Sequence, residues 1–162
     1  MTDHSTTDVR DRGGSPPGDL PRFSYAVATL ERSIRRHLGA VLRPYGLTVA
    51  EYTVLSLIRR RDGYSNAQLA RRSFVSPQAM NEVIKSLEDR ALLRRELSTT
   101  HKAIRHTHLT RQGRALLGSC DAAVDRMEAV MLAGLSHDER SGAIALLLRS
   151  ADLLRASLPP DR

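Results

Sequence analysis

Four polar side chains recur at helical spacing in the middle of the chain, and their chemistry suits contact with DNA. They are Gln78, Asn81, Glu82 and Lys85. At about 100° per residue they fall on one side of a helix. Amide side chains pair bidentately with adenine, a carboxylate accepts from the cytosine amino group, and a lysine suits a backbone phosphate. The pattern predicts a base-reading helix; the alternative is an amphipathic helix with a merely solvated polar face.

The opposite side of this helix is apolar, and its start carries clear signals. The apolar positions are Ala79, Met80, Val83, Ile84 and Leu87. Ser76 is a good N-cap and Pro77 occupies the first helical position, while Ser65 and Gln68 form a capping box for a preceding helix. Residues 65–90 therefore predict two short helices joined by a tight turn. This arrangement is typical of a helix-turn-helix, but ordinary helical hairpins share it.

Positive charge is concentrated on the second of these helices and on the residues after it. The chain carries a net charge of +7, and residues 71–114 contain ten Lys or Arg against four acidic residues. A polyanionic partner is therefore favoured. Phosphates bind cations and helix N-termini, so we expect backbone contacts from the Ser76 end of the helix and from five cations. These cations are Lys85, Arg94, Arg95, Lys102 and Arg105.

Helical spacing fails after Leu87, where two β-capable segments flank a polar turn. The segments lie around Leu92–Leu97 and Ala103–Leu109, with residues 98–100 between them. A basic β-hairpin directly behind a recognition helix is a wing, which lies along the DNA backbone or enters the minor groove. Double-stranded DNA is therefore the expected partner.

Three histidines in this hairpin raise the question of a metal site. His101, His106 and His108 are candidates, but strand alternation alone places His106 and His108 on one face, and no cysteine or carboxylate pattern completes a ligand set. We expect no metal and no cofactor. Enzyme motifs, such as a phosphate-binding glycine loop or a nucleophile with its base, are also missing from the sequence, so we expect no enzymatic activity.

The flanking regions predict further helices and a pairing of chains. A tail rich in Gly, Pro, Ser and Asp (1–20) is expected to be disordered, and a helix is expected within 21–46. Thr48 with Glu51, Thr110, and Ser136 with Glu139 mark three more helix starts. The fold class is mainly α with a small β-hairpin wing. We expect a DNA-binding lobe over 47–110, and dimerisation helices over 21–46 and 111–158. Wide apolar stripes on these helices favour a homodimer over a monomeric bundle.

One cysteine, Cys120, excludes an intrachain disulfide and favours a reducing compartment, so a cytoplasmic location is expected. The N-terminus lacks a signal-peptide pattern, and no apolar run is long enough to span a bilayer, so no membrane partner is expected. Cys120 lies on the apolar side of a predicted helix with no adjacent base. It is more readily explained as core filler than as a redox switch.

In this order, the elements resemble those of the MarR family of winged-helix regulators. The resemblance lies in LTVAEYTVLSLI (Leu47–Ile58), LARR (Leu69–Arg72), VSPQAMNEVIKSLEDRALLRR (Val75–Arg95) and HLTRQGRALL (His108–Leu117). It implies a winged helix-turn-helix transcription regulator that binds a pseudo-palindromic operator as a homodimer. It further implies a ligand-responsive repressor whose small, often aromatic effector binds between the dimerisation helices and the DNA-binding lobe. The residues on the first two helices that are candidates for effector binding are Arg36, His37, Tyr45 and Tyr52.

Two departures from the family pattern concern the DNA contacts. Family wings often carry an Asp and an Arg two residues apart, where this chain has His101 and Ala103, and Glu82 stands where many relatives place a basic residue. The full set of candidate DNA contacts is Ser76, Gln78, Ala79, Asn81, Glu82, Lys85, Arg94, Arg95, His101, Lys102 and Arg105. The alternatives to a ligand-responsive repressor are a redox-sensing regulator that uses Cys120 and a winged-helix protein-interaction module without a DNA target.

Overall fold

A computed structural model describes residues 20–73, 75–97 and 105–157, and these residues form helices and a small sheet. The chain divides into two compact units between Ile34 and Arg35, within the first helix. In chain order the elements are α1 (Phe23–Leu42), a 3₁₀ turn (Arg43–Tyr45), α2 (Val49–Arg60), β1 (Tyr64–Ser65), α3 (Asn66–Ser73), α4 (Pro77–Asp89), β2 (Leu93–Leu97), β3 (Arg105–Leu109), α5 (Arg111–Met131) and α6 (His137–Ser157). The mainly helical fold class with a β-hairpin is confirmed. The expected tail (1–20) lies outside the described residues, except for Leu20.

The helix starts lie where the sequence predicted them, because each has a side chain that satisfies a free backbone amide. Thr48 and Glu51 form a reciprocal capping box at the start of α2. Ser65 and Gln68 exchange the same pair of hydrogen bonds before α3, and Ser136 and Glu139 do so before α6. Such caps stabilise a helix by about 1 kcal/mol each.

The sheet is antiparallel with the strand order β1-β3-β2, so the predicted hairpin gains a third strand. In the register of the hairpin Leu93 lies opposite Leu109 and Leu97 opposite Arg105, while β1 places Tyr64 opposite Thr107. Thr107 is completely buried, and its hydroxyl donates to the Tyr64 carbonyl at 2.8 Å. Strand β1 was not predicted, since two residues carry no readable alternation.

The core of the second unit is built from aliphatic side chains contributed by α2 to α5 and the hairpin. Leu55, Leu69, Met80, Ile84, Leu87 and Leu117 are completely buried. Because α4 contributes three of these side chains, its orientation is set by the core and its opposite face is left to the surface. Leu42 at the end of α1 is also completely buried.

The chain leaves α4 through a tight joint against the start of α5. Ala91 adopts a left-handed conformation with φ of 53°. The Thr110 amide donates to the Leu92 carbonyl at 3.1 Å, and the Thr110 hydroxyl donates to the Ala91 carbonyl at 2.7 Å. Gly113 packs directly on the same Leu92 carbonyl, which leaves no space for a β-carbon. The end of the candidate reading helix is therefore joined directly to the start of α5.

Among the residues that the structure describes, no helix combines the length and the apolar character needed to cross a membrane.

Candidate nucleic-acid interface

Helix α4 presents the predicted polar face to the surface. Gln78, Asn81, Glu82 and Lys85 are all exposed, whereas Met80, Ile84 and Leu87 are completely buried. Ala79 is half-buried at the edge of the exposed face. The four polar side chains can therefore reach a groove of DNA while the helix behind them stays anchored in the core.

The start of α4 is held by its own cap and by α3. The Ser76 hydroxyl accepts from the Ala79 amide at 3.1 Å. The Asn66 side-chain amide donates to the Pro77 carbonyl at 3.2 Å, which ties the start of α3 to the start of α4. The first turn of α4 thus presents backbone amides and the positive end of the helix dipole, a combination that suits a phosphate.

The other end of α4 is held by a buried carboxylate that belongs to α2. Glu51 Oε1 accepts from the Ser86 hydroxyl at 2.7 Å and from Arg90 Nη1 at 3.2 Å. Its Oε2 accepts from the Thr48 amide at 2.8 Å and from the Thr48 hydroxyl at 3.1 Å. The Glu51 side chain is only 7% exposed. The sequence predicted the capping contacts between Thr48 and Glu51, but not the contacts of Glu51 with Ser86 and Arg90.

We predict that Glu51 makes the free energy of unfolding depend on pH in the acidic range. Burial by itself would raise the pKa of Glu51, but hydrogen bonds from the Thr48 amide, the Ser86 hydroxyl and the Thr48 hydroxyl, together with the charge of Arg90, lower it below its ordinary value of 4.5. A carboxyl with a depressed native pKa contributes stability above its unfolded pKa, and that contribution is lost as the pH falls through the native pKa. Below pH 4.5, the free energy of unfolding should therefore fall more steeply for the wild type than for Glu51→Gln. Urea unfolding at several pH values measures both slopes, and equal slopes would contradict the assignment.

Two arginines proposed as phosphate contacts have carboxylate partners. Arg95 Nε donates to Glu88 Oε1 at 2.8 Å, which joins β2 to α4. Arg94 forms an ion pair with Glu96 on the same strand. Contact with a phosphate would compete with these ion pairs. Arg105 is exposed at the start of β3, and the proposed contacts His101 and Lys102, with Ala103, lie outside the described residues.

The two described histidines of the hairpin make hydrogen bonds to the loop after α2. His106 Nδ1 donates to the Gly63 carbonyl at 2.7 Å, and His108 Nδ1 donates to Asp62 Oδ2 at 2.8 Å. Over residues 20–73, 75–97 and 105–157, no group of three or more His, Cys, Asp or Glu side chains is arranged to hold a metal ion. In these positions the two imidazoles act as structural links between the sheet and the loop.

The candidate effector residues fall into two pairs. Arg36 and His37 are exposed on the second half of α1, while Tyr45 and Tyr52 are half-buried against the core. Burial raises the pKa of the Tyr52 phenol, which keeps this side chain neutral. The two tyrosines therefore offer partly covered aromatic faces.

Cys120 is completely buried in α5, and its Sγ lies 3.2 Å from the Leu116 carbonyl. Burial raises the pKa of this thiol, and the negative charge of Asp121 raises it further. Both effects oppose formation of the thiolate that reacts with oxidants.

Comparisons with known proteins agree with this geometry. The sequence model of the MarR family matches residues 45–104. The HTH-type transcriptional repressor Rv2887 of Mycobacterium tuberculosis is 38% identical over 122 residues, which cover 75% of this chain and 87% of the relative. A crystal structure of that MarR family protein in complex with DNA has a TM-score of 0.66 and 33% identity, and covers 81% of this chain and 98% of the solved one. The crystal structure of its complex with salicylic acid has a TM-score of 0.66 and 32% identity, and covers 82% of this chain and 97% of the solved one.

Proposed function

This chain belongs to the MarR family of transcriptional regulators, and we propose that it is a repressor that binds a pseudo-palindromic DNA site as a homodimer. The observation that carries the proposal is the exposed face of α4, where Gln78, Asn81, Glu82 and Lys85 project from a helix anchored by three completely buried side chains. The relative Rv2887, which this chain matches over 87% of its length, is named a transcriptional repressor, and its structure has been solved with DNA.

Each side chain on this face has a distinct proposed role. Gln78 and Asn81 pair with adenine edges in the major groove, and Glu82 accepts from a cytosine amino group. Lys85 and the first turn of α4 bind backbone phosphates, which set the position of the helix on the duplex. The negative charge of Glu82 repels phosphate, so it disfavours positions of α4 on the duplex that would bring Glu82 onto the DNA backbone.

The proposal is tested by DNA binding to the region upstream of the protein's own gene. Fluorescence anisotropy should show tight binding to a fragment of this region and weaker binding to a shuffled fragment of equal length. Affinity should fall steeply between about 50 and 200 mM salt, because phosphate contacts release counterions. A folded protein that binds neither fragment would favour the protein-interaction module instead, and an affinity independent of salt would contradict the phosphate contacts.

Homodimerisation is supported by the apolar surface of the C-terminal helices. In the single chain, α6 has no buried residue along its described length, and Leu147, Leu148 and Leu154 are 39%, 61% and 68% exposed. Val130 near the end of α5 is 79% exposed. We propose that a second copy of the chain covers this surface, since two-fold pairing is the commonest form of soluble oligomer.

We predict that Leu147→Glu combined with Leu154→Glu converts the dimer to a monomer. The two positions lie seven residues apart on one side of α6, so an interface there would bury two unpaired carboxylates. The dissociation constant of the dimer should rise at least roughly a hundredfold. Size-exclusion chromatography with light scattering measures the mass. Lys85→Glu is the matched control, because it adds a carboxylate to an exposed position on α4 and should leave the dimer intact.

We further propose that a small aromatic acid weakens DNA binding, because the relative has been solved with salicylic acid. Arg36, His37, Tyr45 and Tyr52 are the candidate contacts: a cation for the carboxylate and aromatic surface for the ring. Adding salicylate to the anisotropy experiment above should release the fragment at millimolar or lower concentration, and benzyl alcohol should not. Release at an unchanged salicylate concentration with Arg36→Ala and with Tyr52→Leu would exclude the contacts of these two side chains.

A further inference from the structure

We propose that Glu51 is a positioning residue that fixes the fine rotation of α4 about its own axis, and thereby the specificity of the proposed DNA readout. The inference rests on the proposed function and adds to it a residue that does not touch DNA. One carboxylate links the start of α2 to the last turn of α4: Oε2 receives both Thr48 donors, and Oε1 receives Ser86 and Arg90.

The hydrogen bonding of this carboxylate is complete, which makes the contact geometrically demanding. An ionised carboxylate has about four acceptor sites. Two donors of Thr48, the N-cap of α2, and two donors at the C-terminal end of α4 occupy them, at 2.7 to 3.2 Å. A glutamine would turn one oxygen into a donor. If the glutamine NH2 group pointed to Thr48, it would meet the Thr48 N–H, which is also a donor. If it pointed to α4, it would meet the Arg90 guanidinium, another donor. Glutamine therefore preserves the size of Glu51 but loses part of the link.

The contact lies on the flank of α4, where it resists rotation. At about 100° per residue, Ser86 lies roughly 40° around the helix from Glu82 and roughly 100° from Leu87. It lies at the edge of the reading face and away from the centre of the buried stripe. Apolar packing at Met80, Ile84 and Leu87 turns this side of the helix toward the core, but the hydrophobic attraction itself is non-directional. The directional hydrogen bonds from Ser86 and Arg90 to Glu51 add a finer rotational constraint on this flank.

Rotation matters because base recognition is more sensitive to angle than phosphate binding. A bidentate amide–adenine pair needs two hydrogen bonds in one plane. A lysine reaches a phosphate through a flexible chain, so its contact tolerates a change in rotation. Loss of the Glu51 link should therefore reduce affinity for the specific site and leave nonspecific affinity unchanged.

The test compares Glu51→Gln, Ser86→Ala and the double variant by anisotropy on the upstream fragment and its shuffled control at fixed salt. Affinity for the upstream fragment should fall about tenfold or more for Glu51→Gln, which corresponds to the loss of a hydrogen bond to a charged group. Affinity for the shuffled fragment should stay within about twofold of the wild type. The fold-loss of affinity for the upstream fragment in the double variant should be smaller than the product of the two single fold-losses, because both substitutions break the same hydrogen-bonded link.

Thr48→Ala is the matched control. It removes the Thr48 hydroxyl, which accepts from the Glu51 amide and donates to Oε2, but leaves the backbone N–H of residue 48 on Oε2 and both contacts of Oε1. It should therefore lower stability without changing the ratio of the two affinities. Equal losses on both fragments for Glu51→Gln, or a changed ratio for Thr48→Ala, would overturn the proposal. If Glu51→Gln does not fold, Ser86→Ala alone decides between these outcomes. A wild-type protein with no preference for the upstream fragment would instead contradict the proposed function.

Discussion

Gly113→Ala is expected to destabilise the folded chain by about 3 kcal/mol or more, since overpacking a dense region against backbone is costly. A β-carbon at this position would lie 2.1 Å from the Leu92 carbonyl oxygen and 3.0 Å from its carbon. Relief requires the backbone to move, because the obstacle is not the end of a flexible side chain. The same carbonyl accepts from the Thr110 amide, so any movement also disrupts the joint between α4 and α5.

Helix α5 offers its own control for this prediction. A β-carbon at Gly118 would meet nothing within 4 Å. Gly118→Ala should therefore stabilise the protein by about 0.5–1 kcal/mol, because alanine restricts the unfolded chain and favours helix. Urea unfolding at one fixed protein concentration measures both changes. A Gly113→Ala protein that is as stable as the wild type would show that the joint is not as tight as described.

Replacing the two side-chain amides that are proposed to read bases is expected to abolish sequence preference. Gln78→Ala and Asn81→Ala each remove a proposed bidentate pair worth about 1–3 kcal/mol of discrimination. The double variant should bind the upstream fragment and its shuffled control with similar affinity, and both bindings should keep the salt dependence of the wild type. Both side chains are exposed, so the free energy of unfolding should change by no more than about 0.5 kcal/mol.

Lys85→Ala provides the contrast on the same face of α4. Loss of a phosphate contact weakens binding to all sequences alike and lowers the salt slope by about one. This variant should therefore lose affinity equally for the upstream and shuffled fragments. If Lys85→Ala removed the sequence preference and the amide variants did not, the roles assigned to the two kinds of side chain would be wrong.

Local signals in the sequence were sufficient to predict the helices and the exposed polar face of α4. Capping residues such as Thr48 and Ser136 act within one turn, so sequence spacing alone reveals their hydrogen bonds. The exposed amides of α4 followed in the same way from helical periodicity. The short strand β1 could not be predicted, because its two residues are extended by pairing with β3, which lies more than forty positions away in sequence.

Long-range contacts changed the interpretation of several charged residues. Glu51 was predicted only as a capping residue, and no local pattern indicated that it also reaches Ser86 and Arg90 on α4. The spacing of Arg94 and Arg95 suggested two cations for phosphates, but the fold places Glu96 and Glu88 beside them. The Arg95–Glu88 pair depends on how β2 and α4 are brought together, which local sequence does not encode, whereas Arg94 and Glu96 are paired by alternation along one strand.

Selection of binding sites from random-sequence DNA tests the central claim most directly, because the protein itself chooses the sequence that it binds. We expect the wild-type protein to enrich an inverted repeat whose half-sites are centred about one helical turn apart, roughly 10 base pairs, since a two-fold dimer places its two reading helices on one side of the duplex. The variant that lacks the Gln78 and Asn81 side-chain amides should enrich no such motif. If the folded wild-type dimer enriches no sequence, α4 does not read DNA bases in this protein.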